Sequence, residues 1–297
     1  MMNRRGFIIL VGFILICSIE SAAQNHPDSI RIYRIQTRDG NVFTGNIVRE
    51  DSVSLTLKTE NLGEIKIPQV DVKLKTEIND IKKVGKEYWL PNPQSSRYFW
   101  APNGYGLKKG EAYYQNIWVL YNQASVGITD NFSLGAGMLP LFLFTGPSPI
   151  WIIPKFSFPV VKDKFNIGTG AILATVLGSE GSGAFGLLYA TTTFGPRDQN
   201  VSIGLADGFA GGQWMKFPIV NINALFRTGP RGYFITENYI ITAEGSTFAL
   251  LSAGGRTLIR NIGIDYSLWV PVAGWIGRLI AVPFLGITIP IGKSPQK

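Results

Sequence analysis

Two apolar arms, FSFPVV and FNIGTGAILATVLG, flank one compact charged knot, Lys162-Asp163-Lys164. Residues 165–179 hold no charge, and their glycines and β-branched side chains suit a strand better than a helix. The pattern predicts a β-hairpin. The same rhythm runs through the C-terminal two thirds of the chain, where apolar stretches of about 9–14 residues, near the length of a tilted membrane strand, alternate with turns. About twelve segments are expected, near 97–104, 111–127, 131–144, 150–160, 165–177, 184–194, 200–207, 214–227, 232–243, 247–256, 261–270 and 278–291.

The turns are of two kinds. One set is short and charged: TDN at 129–131, KDK at 162–164, GPRDQN at 195–200, TGPRG at 228–232 and RN at 260–261. The other is rich in Gly, Pro and Ser: TGPSP at 145–149, GSEGSG at 178–183, DGFAGG at 207–212, EGS at 244–246 and PVAGWIG at 271–277. The two kinds alternate strictly, as they do when up-and-down strands have ends in different surroundings. A helical alternative fails in residues 131–154, which carry no charge but contain Pro140, Pro147, Pro149 and Pro154. Each proline costs a helix interior about 3 kcal/mol.

Within segments, bulky and polar positions alternate. In NIGIDYSLWV, Ile262, Ile264, Tyr266, Leu268 and Val270 share one face, and Asn261, Gly263, Asp265 and Ser267 share the other. In KFPIVNINALFR, Val220, Ile222, Ala224 and Phe226 oppose Asn221, Asn223 and Arg227. The pattern predicts bulky side chains against lipid and a polar, small-residue face around a lumen. FNIGTGAILATV follows suit except at Thr169 and Ile172, and adjacent Glu237 and Asn238 cannot both face inward. Trp100, Tyr113, Trp151, Trp214, Trp269 and Trp275 lie near segment ends and suit interfacial belts, with core packing the equal alternative.

The N-terminal part differs in chemistry. Residues 31–87 hold 11 basic and 9 acidic side chains, against 15 and 9 in residues 97–297. The shift marks a domain boundary near Pro91 and Pro93. RIYRIQT, NVFTGNIV, SVSLTLKT, GEIKIP and DVKLKTEI predict five short strands, with Val42 and Thr44, then Val53, Leu55 and Leu57, Ile65 and Ile67, and Val72 and Leu74 each sharing a face. The Asp39-Gly40 turn and Gly45 in a bent second strand resemble small SH3-like or Sm-like barrels, a fold that fixes no function.

Residues 1–24 carry the marks of an export signal: Arg4 and Arg5, an apolar run at 6–16, and Ser21-Ala22-Ala23. A retained anchor is the alternative. The expected organisation is a signal peptide (1–24), a small periplasmic domain (25–90) and a barrel (91–297). Cys17 is the single cysteine and His26 the single histidine. Disulfides within a processed chain, His-based triads and His-rich zinc sites are therefore not expected in its body, nor is a cofactor. The net charge of +8 gathers into no basic stripe, which argues against nucleic acid.

The rhythm and leader together resemble a Gram-negative outer-membrane β-barrel protein. The resemblance implies an all-β fold, a small SH3-like domain followed by an antiparallel up-and-down transmembrane barrel of about twelve strands, with lipid as its surroundings. An even count puts both barrel ends on the side of the charged turns, the periplasm. The chain departs from the family habit of ending on an aromatic, and Pro154, Pro218 and Pro283 fall inside expected strands. Candidate lumen groups are Asn221, Asn223, Arg227, Glu237, Arg256 and Asp265, with an Arg227–Asp265-type pair as a possible brace. Porin-like passage or binding of a small molecule is the first expectation. A membrane anchor whose small domain binds a periplasmic protein or cell-wall partner is the alternative, and a secreted soluble β-protein a further one. An enzyme is not expected: Asp207, Glu237 and Asp265 are the carboxylates on which glycoside cleavage would have to rest.

Overall fold

The computed structural model of the chain describes residues 32–59, 62–78, 82–84, 87–89, 91–140, 146–178, 183–243, 246–259, 261–272 and 280–291. The expected signal segment and Trp275 lie outside them.

Five strands form the N-terminal sheet: β1 (Ile32–Thr37), β2 (Val42–Glu50), β3 (Ser54–Thr59), β4 (Glu64–Pro68) and β5 (Val72–Ile78). They pair antiparallel in the order β4-β3-β2-β1-β5. The Asp39-Gly40 turn forms as expected: Gly40 sits at φ +89°, where glycine is favoured, and donates to the Thr37 carbonyl at 3.0 Å. Ile35, Leu55, Leu57 and Ile67 make the core, with Phe43, Ile47, Ile65 and Val72 packed on it. The second strand turns Phe43 and Ile47 inward and leaves Val42 exposed; Val53 and Leu74 are exposed too. A register shift between Ile47 and Arg49 moves the strand's phase. A short hairpin, β6 (Lys82–Val84) and β7 (Glu87–Trp89), follows.

The barrel is built from β8 (Ala112–Ile117), β9 (Tyr121–Gly127), β10 (Phe132–Met138), β11 (Ser148–Val161), β12 (Phe165–Leu177), β13 (Phe185–Phe194), β14 (Gln199–Ala210), β16 (Ile219–Arg227), β17 (Gly232–Ala243), β18 (Ser246–Ile259), β19 (Ile262–Val272) and β20 (Val282–Pro290). The two-residue β15 (Gln213–Trp214) folds back and pairs antiparallel with the end of β14. Each strand pairs antiparallel with the next, β13 pairs with β14, and β20 pairs back onto β8. The sheet is thus a closed twelve-stranded up-and-down barrel, which leaves no open edge.

Twelve is the expected number, but two strands differ from expectation. Residues 97–104 are not a wall strand; they make one isolated bridge, Arg97 to Pro102. Residues 111–127 are two strands. The turn between them, Trp118-Val119-Leu120, contains no Gly, Pro or Asp, and Trp118 and Val119 adopt φ of 50° and 66°. The Asn116 side chain holds it, accepting from Val119 N and donating to Val119 O, both at 3.1 Å. Pro154 and Pro283 do lie in strands, β11 and β20, whereas Pro218 precedes β16.

The faces follow the alternation. Leu268 is 56% exposed and Asp265 is wholly buried, three residues away on β19. Ile222, Phe226, Leu251 and Tyr266 also turn outward, and Asn221, Asn223 and Ser267 inward. Thr169 faces out with its hydroxyl on the Tyr189 carbonyl at 2.8 Å, while Ile172 packs inside near Trp151 and Ile153. Glu237 is buried; Asn238, its outward neighbour, donates to Ile222 O at 3.0 Å and accepts from Ser252 N at 3.1 Å. An apolar exterior around a polar interior is the layout of an outer-membrane β-barrel. The aromatic belt is thinner than expected, because Tyr113, Trp151 and Trp269 face inward and are buried, leaving Trp100 and Trp214 exposed.

Candidate functional site

The segment before β8 decides the character of the interior. Residues 92–107 pass inside the barrel, where Gln94, Tyr98, Phe99 and Asn103 are wholly buried. The small-residue face predicted to surround a cavity surrounds this segment instead. Close approach needs glycine on both sides: a Cβ on Gly168 of β12 would lie 2.9 Å from Asn103 O, and one on Gly104 would lie 2.7 Å from Asn166 O.

Three charged wall residues grip the segment. Arg256 on β18 pairs with Asp265 on β19, Nε to Oδ1 at 2.6 Å and Nη2 to Oδ2 at 3.0 Å. Its remaining donors reach the segment: Asn92 Oδ1 at 2.8 Å, Gln94 Oε1 at 2.7 Å, Gln94 O at 3.1 Å and Tyr98 O at 2.8 Å. Glu237 on β17 accepts the backbone N–H groups of Phe99 and Trp100, both at 2.9 Å, and the Tyr239 hydroxyl at 2.7 Å. Lys155 on β11 donates to Ser96 O at 2.7 Å and Tyr105 O at 2.6 Å. Neutral contacts complete the seat. Tyr98 donates to Asn200 Oδ1 at 2.7 Å and lies 2.6 Å from Ser202 Oγ, and Gly104 N donates to Thr193 Oγ1 at 2.6 Å.

Part of the interior is apolar. Tyr98 and Phe99 pack with Ile117, Leu225, Ile235, Leu258, Trp269 and Phe284. Side chains of both characters therefore fill the lumen, as in the core of a soluble domain.

Of the six lumen candidates, Asn221, Asn223, Glu237, Arg256 and Asp265 face the interior and are buried. Asn223 donates to Asn221 at 3.0 Å and accepts from Asn238 N at 3.1 Å, so the two asparagines brace the wall. Arg227 lies apart. Its ion pair is with Asp198 at 3.0 Å, not with Asp265, and its guanidinium stacks between Trp89 and Tyr233 at 4.8 and 5.0 Å. Glu237 and Asp265 are sealed from solvent and already hydrogen-bonded. Sequence pattern missed Lys155 and the segment partners Asn92, Gln94 and Arg97. Lys155 was findable: it is the single charge in β11 and falls on the inward parity of that strand. Among the described residues, no group of three His, Cys, Asp or Glu is arranged to hold a metal.

No protein-family model matches the sequence, and no curated protein is a significant match. Two solved structures are similar in outline. OpdQ of Pseudomonas aeruginosa is 10% identical, with 88% of this chain and 95% of that one covered and a TM-score of 0.35. OmpT of Vibrio cholerae, described as outer-membrane expressed, is 10% identical over 89% and 95%, with a TM-score of 0.33.

Proposed function

We propose that this chain is a sealed outer-membrane barrel that works as an anchor. It holds the five-stranded domain on the periplasmic side, where that domain engages a protein or cell-wall partner. The observation that carries this reading is the filled lumen: Phe99 and Tyr98 are wholly buried, and Arg256, Glu237 and Lys155 are committed to residues 92–105. Hydrogen bonds to charged groups contribute about 1.5–3 kcal/mol each, so withdrawing the segment breaks several at once. Asn92 meets Arg256 and Pro93 meets Gly263, the two wall positions that flank the charged turn between β18 and β19, and these contacts support putting the small domain on the side of the short charged turns, the expected periplasmic side. The apolar exterior argues for lipid surroundings and against a secreted soluble protein.

Full-length protein in planar bilayers tests this. The expected trace is electrically silent, and steady openings or solute flux overturn the anchor reading. In cell envelopes, deleting residues 25–90 is expected to abolish partner capture while the barrel still migrates as a heat-modifiable band.

A second reading, porin-like passage of a small solute, rests on the polarity of the wall. If residues 92–107 left, Asn221, Asn223, Glu237, Arg256 and Asp265 would line a hydrophilic path. It requires a trigger that moves the segment, and Arg256→Met raising the conductance from zero would favour it.

A further inference from the structure

Among the described residues, the buried charged groups of the barrel interior do not balance. Arg97, Lys155 and Arg256 are cations at 7% exposure or less, against two carboxylates, Glu237 and Asp265. Asp265 is paired with Arg256. Glu237 faces backbone amides of the inner segment and the Tyr239 hydroxyl. Arg97 and Lys155 are held by neutral acceptors. Arg97 donates to Gln115 Oε1 at 3.0 Å, and to the Gln123 amide oxygen at 2.8 and 3.2 Å when that amide is turned toward it; its ring neighbour is Tyr113, at 5.6 Å. Lys155 makes its two bonds to carbonyls. A further cation, Arg197, bonds Ser95 Oγ and Gly106 O of the same inner segment.

A cavity of about 10 Å3 opens between these two cations. Its polar walls are Ser96, Arg97, Tyr113, Ser125, Ser133 and Lys155, and no carboxylate lines it. Arg97 Nε is fully buried with no partner among the described residues. Such a space takes one particle about the size of a water molecule. A buried charge without a counter-charge is costly, and costlier beside a like charge. With all five groups ionised, the interior carries a surplus of one positive charge among the described residues.

We propose that this cavity is a built site for one small monovalent anion of halide size, seated between the Arg97 guanidinium and the Lys155 ammonium, with the Ser133 hydroxyl as a neutral donor. One negative charge removes the surplus. The volume excludes sulfate, phosphate and carboxylates. The ion is structural: it locks the inner segment, through Arg97, to the wall, through Lys155. The site stands on the packing of the interior and does not depend on the anchor reading.

The test uses full-length protein refolded from urea into detergent, so that a buried ion exchanges, at equal ionic strength in sodium bromide, chloride or gluconate. Gluconate is too large to enter. Chloride and bromide are expected to raise the unfolding temperature by about 3 °C over gluconate at roughly tenfold excess over the dissociation constant. In Lys155→Met that difference disappears. Crystals grown from bromide are expected to show one anomalous peak between Arg97 and Lys155. Equal unfolding temperatures in halide and gluconate overturn the proposal. So does density in the cavity without anomalous signal, which is a water. Should Lys155→Met fail to fold, the wild-type bromide crystal decides alone.

Discussion

Arg256 and Asp265 face each other across the β18–β19 ladder, 2.6 Å apart and both wholly buried, and the same guanidinium ties down Asn92, Gln94 and Tyr98. Removing one member leaves a buried, uncompensated charge. Arg256→Met is expected to destabilise the protein by about 3–5 kcal/mol, because Asp265 then stands alone. Arg256→Met with Asp265→Leu is expected to recover much of that loss. Urea unfolding in micelles, followed by tryptophan fluorescence, measures both. A single variant within about 0.5 kcal/mol of wild type would mean that water reaches the pair.

The approach of Gly168 to the inner segment gives a steric test. A Cβ there meets Asn103 O at 2.9 Å and Gly104 Cα at 3.1 Å, which are backbone atoms that cannot rotate away. Gly168→Val is expected to cost about 1–3 kcal/mol by overpacking and to raise protease cleavage within residues 92–107. Gly229→Ala, where nothing lies within 4 Å, is the control and is expected to change neither.

In the small sheet, Lys75 on β5 donates to Glu50 at the end of β2 at 2.5 Å, and Gln69 adds a bond at 3.2 Å. The Lys75 ammonium, first, holds the Glu50 carboxyl below its ordinary value against the opposing effect of burial, and the Gln69 amide adds a lesser downward pull. A depressed carboxyl favours the folded state above the unfolded-state pKa, and that contribution fades as pH falls through the folded-state value. The side chains are about a third exposed, so screening leaves roughly a few tenths of a kcal/mol. Carboxyl NMR of the full chain is expected to place the Glu50 midpoint below that of exposed glutamates. Lys75→Met is expected to move it upward. An unmoved midpoint would show that the pair does not persist in solution.

Much of the wall was legible because a strand alternates with period two and membrane strands keep long registers. Residues 165–177 and 232–243 match their strands end to end. What escaped did so for physical reasons. The Trp118-Val119 turn is held by the Asn116 side chain and by Trp118 donating to Leu285 O and Pro283 O, not by turn-forming residue types. The inner segment reads as a strand because its residues must suit a half-apolar, half-polar interior, which gives the same composition as a wall strand. The partners of Arg227 and Arg256 escaped because pairing across a barrel depends on depth, which a single sequence does not record. Asp198 lies in the turn before β14, close to the level at which β16 ends with Arg227.

Phe99 separates a filled barrel from a hollow one. Its ring lies 5.3 Å from that of Phe284 and 6.4 Å from that of Trp269, its backbone N–H is held by Glu237, and none of its surface meets solvent. In a packed core, cutting Phe to Ala loses the transfer energy of the ring and leaves a cavity that rigid walls cannot close, at a cost of about 3–5 kcal/mol. In a water-filled lumen the same change would cost little, since the ring would already be wet. The adjacent Trp100 is 41% exposed and touches Tyr121 by one edge, 5.5 Å away, so Trp100→Ala is expected to cost only about 1 kcal/mol. The two variants differ by one position and bracket the same backbone contact with Glu237. A large loss at Phe99 beside a small one at Trp100, read from urea unfolding, supports the sealed barrel. Equal small losses would return the interior to solvent and restore the case for a pore.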